Sequence, residues 1–478
     1  MLAAIILFLL PVLSGWLLVH VLWPDPRFYH MVFKAFLGVG IGLGMWSLSF
    51  FIYLLAFPAQ HWFHYVQGAT FGILLLIALM QRRTRPFGSP GLERTQNLTR
   101  TQQALVAVAG AVCIVSLLST ANYLLRRRQG DWDAWMMYNR AARFVYLDQP
   151  HWRESFSPVM DPIFHADYPL LLAMNIASGW DTLGHDSPRV PMLQSALFAV
   201  ACLGLIGGAL ASARSVGQAA LGLIILWGVP VFVNEGAREM ADVPLAFFIA
   251  ATGILVYLYV VEEKPGLLIL AGICSGLAAW TKNEGSVVIV GTLLALGLAF
   301  RGRSASRRWL GYAAGLVLPL AVVLYFKLFL APPGDILSRG PAGWLPQLLD
   351  VSRHAEIVRT LGQEFISFGA WEIGTASIGI IPVLLVYYLV SRAPVASQLR
   401  PAYTAGLVIL LVQILGYYAA YIITPYNLVW HLSFSATRIV LQMFPLLLFL
   451  ALSATVPLES VLARNSPAPQ GVNHASGD

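Results

Sequence analysis

The chain has 478 residues, of which 58% are hydrophobic and only 11% charged, with a formal net charge of +7 and a mean hydropathy of +0.70. Those values exclude an ordinary water-soluble domain and point to an all-α polytopic membrane protein. The excess basic residues gather in a few short loops, which signals topology rather than nucleic-acid binding.

A membrane span needs about 20 apolar residues. Leu2–Leu22 lacks a basic leading stretch and a small-residue cleavage site, so it reads as a retained span and not as a removed signal. Further spans are predicted at 31–57, 64–80, 103–125, 190–212, 217–233, 243–261, 266–280, 285–300, 309–331, 373–391, 402–424 and 435–455, about 13 in all. The span 266–280 is short and Gly-rich. Pro169–Trp180 is too short to cross and suits a re-entrant or interfacial helix. Cys113, Cys202 and Cys274 fall in apolar runs and suggest neither a disulfide framework nor a metal site.

The basic loops 81–103 and 301–308, with weaker ones at Arg27/Lys34 and Arg392/Arg400, place those turns in the cytoplasm and the N-terminus outside. The sequon Asn97-Leu98-Thr99 then falls on the cytoplasmic side. The polar segments 126–189, 234–242, 281–284, 332–372 and 424–434 share the outer face. Arg126-Arg127-Arg128 breaks the pattern there, as a cluster that meets lipid headgroups or binds an anionic ligand.

The outer segments carry the candidate chemistry. Asp131 and Asp133 stand just past the span 103–125, and carboxylates in a lipid-adapted chain are kept where they pair, meet water or react. Trp132, Trp135, Met136, Asn139 and Ala142 recur at helical spacing, which predicts an amphipathic helix opening at these acids. A plain helix cap is the competing reading, above all for Asp131. Glu235, Arg238, Glu239 and Asp242 lie at i, i+3, i+4 and i+7. Lys282 and Glu284 interrupt two apolar runs, where the lysine either snorkels or holds a phosphate. His165, Tyr168, His431 and Arg438 add polar groups on the same side. There is no HExxH, Cys/His ligand spacing, GxSxG, Walker loop or GxGxxG opening a helix.

In order and in sidedness, Trp132-Asp133-Ala134-Trp135, Asp167-Tyr168-Pro169-Leu170, Ala241-Asp242-Val243-Pro244-Leu245 and Trp280-Thr281-Lys282-Asn283-Glu284-Gly285 resemble the GT-C superfamily of membrane glycosyltransferases. The resemblance covers roughly residues 103–330 and is nearest the family 39-like enzymes, relatives of protein mannosyltransferases and the lipid A aminoarabinose transferase. It differs in its extra leading spans and in Trp-Asp-Ala-Trp replacing the commoner Asp-Glu pair.

The resemblance implies sugar transfer from a polyprenyl-phosphate donor to a lipid, glycan or protein acceptor. The reaction would be inverting, on the extracytoplasmic side of a bacterial inner (plasma) membrane. The family's first-loop acid falls on Asp133, with Asp131 as second choice, and its second-loop acid on Asp242. A carboxylate would take the acceptor proton, and cations, for which Lys282 and Arg438 are suited, would stabilise the departing phosphate. Glu284, His431, His165, Tyr168 and Glu235 are further substrate-binding candidates. A divalent cation, Mg or Mn, held by Asp133 and Asp242 is compatible with the sequence but not required by it. The expected organisation is leading helices 1–102, a catalytic membrane core 103–331, an outer loop with C-terminal helices 332–455 and a cytoplasmic tail 456–478. A transporter or lipid-linked-glycan flippase is the alternative, for which the Gly-rich 266–280 is the one hint.

Overall fold

The computed structural model describes residues 2–58, 60–84, 98–160, 164–299, 305–334, 340–373 and 376–464. Arg85, Arg94, Asn97, Arg301, Arg303 and the tail from 465 onward lie outside the described residues. The architecture is all-α and polytopic. Its helices are α1 Leu2–Leu22, α2 Phe28–Ala56, α3 Phe63–Thr84, α4 Arg100–Arg126, α5 Asn139–Leu147, α6 Leu171–Leu183, α7 Arg189–Ala213, α8 Val216–Gly228, α9 Pro230–Ala237 and α10 Asp242–Glu262. They continue with α11 Pro265–Thr281, α12 Ser286–Ala299, α13 Ala305–Phe329, α14 Gly340–Leu349, α15 Val351–Ser367, α16 Ile380–Ser391, α17 Arg400–Ile423, α18 Leu428–Ser453 and α19 Leu458–Arg464. The β-structure among the described residues is one short antiparallel pair, Trp371–Ile373 with Ala376–Ile378.

Each predicted span overlaps helical structure, but the count of 13 is not reproduced. Nine helices among the described residues are long and apolar enough to cross a membrane, or ten if the bent pair α8 and α9 is one span. α11, α12 and α16 are apolar but shorter. The predicted span 373–391 shrinks to the 12 residues of α16, because its first part enters the strand pair. The span 217–233 is broken by 66°. Pro230 lacks the N–H that would continue α8 and instead starts α9, as proline does in a first turn.

Burial sorts the helices. α10 is buried along nearly its whole length, between α7, α11, α17 and α18, whereas α3 and α4 expose most of their apolar side chains. The Gly-rich α11 is unbroken, and its glycines serve packing. A Cβ on Gly272 would lie 2.1 Å from the Tyr312 carbonyl oxygen of α13, and one on Gly315 would lie 1.9 Å from that of Ile269. Small residues let two membrane helices approach closely. The hint of a broken transport helix therefore has a packing explanation. α6 is too short to cross and is buried from Leu171 to Trp180 against α2, α5 and α7, ending at Gly184 in the left-handed region. Cys202 and Cys274 are buried, and all three cysteines are free.

The end of α10 opposite Asp242 is held by a second ionic knot. Glu262 accepts from Trp23 Nε1 (3.0 Å) and Arg27 Nη2 (2.5 Å), and Lys264 Nζ lies 3.0 Å away. Asp25 pairs with Arg27 (2.8 Å) and Lys264 (2.7 Å), while buried Lys34 donates to the Asp25 carbonyl at 2.6 Å. Burial raises the Asp25 carboxyl, but hydrogen bonds from His30, Arg27 and Lys264 outweigh it and hold it well below the usual carboxylate range. Arg27 and Lys34, read as a weak topology signal, thus carry a packing role as well.

Removing one partner of a buried ion pair strands the others, at a cost of about 3 kcal/mol or more. Glu262→Ala is therefore expected to lower unfolding free energy in detergent by about that amount, with Glu262→Gln losing less. Denaturant titration of the purified chain measures it, and unchanged stability in Glu262→Ala would contradict the proposed knot.

Candidate active site

Asp242 opens α10, where the unpaired N–H groups of a helix start favour negative charge. It is fully buried, and an isolated carboxylate there would be strongly disfavoured. Four hydrogen bonds compensate. Oδ1 accepts from Lys282 Nζ (3.1 Å) and Gln442 Nε2 (2.5 Å), and Oδ2 accepts from Arg438 Nε (2.9 Å) and Nη2 (2.7 Å). Both oxygens are committed to the protein.

Arg438 and Gln442 lie one turn apart on α18, so a single face of that helix reaches Asp242. Tyr417 of α17 in turn donates to Gln442 and fixes the amide. Arg438 Nη2 also donates to Asp133 Oδ2 at 2.7 Å. Asp133 differs from Asp242. Its side chain is 23% exposed, and among the described residues its bond runs through Oδ2 alone, which leaves Oδ1 without a protein partner.

The segment after Asp133 departs from the expected regular amphipathic helix. Ala134–Tyr138 forms a π-turn before α5, and its extra residue shifts the helical phase of α5. Trp132 and Trp135 remain exposed, edge to face at 4.9 Å, while Met137, Tyr138, Asn139 and Ala142 are buried. The turn drives Tyr138 inward beside the acids. Its hydroxyl has no hydrogen-bond partner among the described residues. Burial, then the charges of Asp133 and Asp242, push that hydroxyl well above the ordinary tyrosine value.

Lys282 caps α11, and Glu284 sits in the single 3-10 turn beyond it. Lys282 Nζ is 3.3 Å from Glu284 Oε1. Burial lowers the Lys282 value, but Asp242 and Glu284 outweigh it and keep the ammonium charged. Glu284 Oε2 has no hydrogen-bond partner among the described residues. Beside it, Asn283 donates to Asp167 Oδ2 at 2.9 Å, and Lys327 of α13 donates to the Asp167 carbonyl, which fixes the loop entering α6. The half-buried Tyr168 hydroxyl is raised by burial first and then by Glu284.

Asp133, Asp242, Lys282, Glu284 and Arg438 are therefore brought into one cluster from segments up to 305 residues apart. Asp131 stands next to it but is turned away. It accepts from Arg238 Nε at 2.7 Å and lies 3.5 Å from Arg127, and Arg238 also pairs with Glu235. Burial raises the Asp131 carboxyl, but the Arg238 hydrogen bond and charge outweigh it and hold it below its ordinary value. Asp131 and Glu235 thus tie the loop after α4 to the end of α9.

His165, in the left-handed region, lies tilted against Tyr168 at 5.0 Å in a narrow crevice shared with Tyr138 and Arg140. His431, two turns before Arg438, lies 2.9 Å from Thr424 Oγ1 and meets Tyr421 and Tyr426 edge-on. Sequence reasoning missed Tyr138, Gln442 and Tyr417. A signal existed for the last two, since Gln442 follows Arg438 by four residues inside an apolar span and Tyr417 follows Gln413 likewise.

The donor set does not fit a resident divalent cation on Asp133 and Asp242. Asp242 offers no free oxygen, Arg438 bridges the two acids, and Lys282 holds the other Asp242 oxygen. The group among the described residues with ligand atoms close enough for a metal is Asp25, His30 and Glu262. It is already neutralised by Arg27 and Lys264.

Residues 168–326, roughly a third of the chain, match the family model described as Dolichyl-phosphate-mannose-protein mannosyltransferase. No curated protein and no solved structure matches the chain. The match bears out the resemblance to GT-C enzymes and indicates a membrane glycosyltransferase of that type. Tyr168, Glu235, Asp242, Lys282 and Glu284 lie within the matched segment, whereas Asp131, Asp133, His165, His431 and Arg438 lie outside it.

The loop that carries Arg238 contains one more buried acid. Glu239 takes the left-handed conformation (φ 60°), and burial pushes its carboxyl up to about 8, with Asn139 pulling the other way. The unfolded chain would titrate near 4.5. Between those values the unfolded state releases its proton and the folded state keeps it, so stability falls as pH rises from about 4.5 to about 8. Glu239→Gln removes this dependence. It is expected to be more stable than wild type by on the order of a few kcal/mol at about pH 8.5 and to lose that advantage near pH 4.5. Parallel slopes for the two proteins in pH-dependent unfolding would refute it.

Proposed function

We propose that the chain transfers a sugar from a polyprenyl-phosphate donor to a hydroxyl of a lipid, glycan or protein on the extracytoplasmic face. The observation that carries the division of labour is the asymmetry of the two acids. Asp242 has both oxygens bonded inside the protein, whereas Asp133 is partly exposed and has one oxygen uncommitted. Asp133 is then the general base, and Asp242 positions Arg438 and Lys282.

The acceptor oxygen attacks the anomeric carbon as its proton passes to Asp133 Oδ1. The bond from that carbon to the phosphate oxygen breaks, and the phosphate leaves with the electron pair. Attack opposite the leaving group inverts the anomeric centre. Phosphate needs no added proton to leave, in contrast to the alcohol expelled in glycosidic hydrolysis. It needs positive charge in a water-poor site. Arg438 couples the two events. While Asp133 is ionised, Arg438 is shared between two carboxylates. Once Asp133 is neutral, part of that charge is released toward the phosphate. Lys282, between Asp242 and Glu284, supplies the second cation. Glu284, His431, His165 and Tyr168 surround the cluster as groups for sugar and acceptor hydroxyls.

Two outcomes test the reading. Asp133→Asn is expected to lose turnover by on the order of a hundredfold or more, measured with purified protein and radiolabelled polyprenyl-phosphate sugars, while its melting temperature stays near wild type. Near wild-type turnover in folded Asp133→Asn, with the loss appearing in Asp131→Asn instead, would move the base to Asp131. The sidedness requires 126–189, 234–242 and 332–372 outside and 81–103 and 301–308 inside. Single cysteines placed in the first set should react with an impermeant maleimide in intact cells, and labelling within 81–103 instead would invert the orientation.

A further inference from the structure

The basic run Arg126-Arg127-Arg128 is only partly absorbed by the site: Arg127 lies near Asp131, and Arg128 does not. Arg128 stands just past the end of α4, and Arg189 is the first residue of α7. Between them lies a cavity of about 430 Å³, lined by Leu125, Arg128, His185, Asp186, Arg189 and Met192 together with Ser187 and Pro188.

Its charge is unbalanced. The side chains of Arg128 and Arg189 have no hydrogen-bond or ion-pair partner among the described residues, while the one acid of the lining, Asp186, is held by Arg143 at 3.1 Å. Leu125 and Met192 give the cavity an apolar side. α4 continues that side along the bundle surface, exposing Ile114, Val115, Leu118 and Leu125. Exposed Trp132 and Trp135, of the type that sits at headgroup level, stand just past Arg128. Two unpaired guanidinium groups above an apolar track match a phosphate joined to a long acyl or prenyl chain. Arginine forks bind phosphate oxygens in pairs. None of the lining residues bonds to Asp133, Asp242, Lys282 or Arg438.

We propose that this cavity is a lipid-phosphate site, separate from the acid cluster. Arg128 and Arg189 hold the phosphate of a membrane lipid there, and the lipid chain runs along α4. The inference does not depend on glycosyl transfer. The lipid is either a polyprenyl phosphate or an anionic glycerophospholipid of the surrounding leaflet, and both present the same phosphate chemistry.

The test is native mass spectrometry of the full-length, detergent-purified protein with undecaprenyl phosphate, phosphatidylglycerol or uncharged undecaprenol. Wild type should retain at least one of the two phosphate lipids and not undecaprenol. The R128Q/R189Q variant should lose one retained phosphate lipid per chain, bound about tenfold or more weakly, the scale of losing charge-assisted phosphate contacts, while any polyprenyl phosphate held by Arg438 and Lys282 stays. The R126Q variant, altered at an arginine outside the lining, should not weaken it. Retention of undecaprenyl phosphate alone assigns the site to a polyprenyl lipid, and equal retention of phosphatidylglycerol assigns it to the leaflet. Undiminished retention in R128Q/R189Q, an equal loss in R126Q, or equal binding of undecaprenol would overturn the proposal. If the double variant does not fold, R128Q alone decides by the same readout, because Arg128 is exposed beyond the end of α4.

Discussion

A carboxylate with no access to water, Asp242, is the constraint on which the candidate site depends. Burying it unpaired would be prohibitive, so α10 can take its central position only if other elements deliver donors to its first turn. α11 delivers Lys282, and α18 delivers Arg438 and Gln442, with Tyr417 of α17 behind the amide. The same arginine then reaches Asp133 and draws the loop after α4 over the cluster. Packing and site are one arrangement here. The interaction that makes the buried acid tolerable also fixes the distance between the two acids.

α10 is anchored in the same manner at its far end. Asp242 and Glu262 are its first and last residues, about 30 Å apart along a helix of this length. Glu262 meets Trp23, Arg27 and Lys264. Between the two knots the helix is buried, and its contacts are mostly apolar and non-directional. Directional ionic contacts at both ends fix its depth and rotation. The leading helices contribute Asp25, Arg27, His30 and Lys34 to one of those knots, and α2 packs on α7 and α6. Through α10 they therefore bear on the site without touching it.

The sequence made the helices legible because apolar length is a one-dimensional signal. The predicted 190–212 and 243–261 became Arg189–Ala213 and Asp242–Glu262. The cluster of Asp133, Asp242, Lys282 and Arg438 was legible as a set of polar residues at span ends on one side. The resemblance ranks Asp133 before Asp131, but which oxygens remain uncommitted is not written in the sequence. Asp131, the second choice in the sequence, is claimed by Arg238 and Arg127. The π-turn at Ala134–Tyr138 changes helical phase by one residue, which a pattern fitted to a regular helix cannot register, so Tyr138 went unnoticed. The bend at Val229 was hidden inside an apolar run, though Pro230 marked it. The pairing of Arg27 with Glu262 spans 235 residues and leaves no local trace.

The segment that matches the mannosyltransferase model ends at residue 326 and begins at 168, so it holds the buried acid and its lysine but neither the exposed acid nor the shared arginine. Arg438 joins Asp133 to Asp242 across 305 residues of sequence and contributes one Nη2 to both. A site completed from both flanks of its matched segment has a physical consequence. The charge of Asp242 is balanced by Lys282 from within that segment and by Arg438 from outside it, whereas Asp133 meets that arginine of the last long helix alone. Movement of α18 relative to the loop after α4 would alter how much cation Asp133 sees while leaving Lys282 in place. On the proposed reading, the protonation of Asp133 and the cation available to a departing phosphate are thereby tied to a single helix–loop contact.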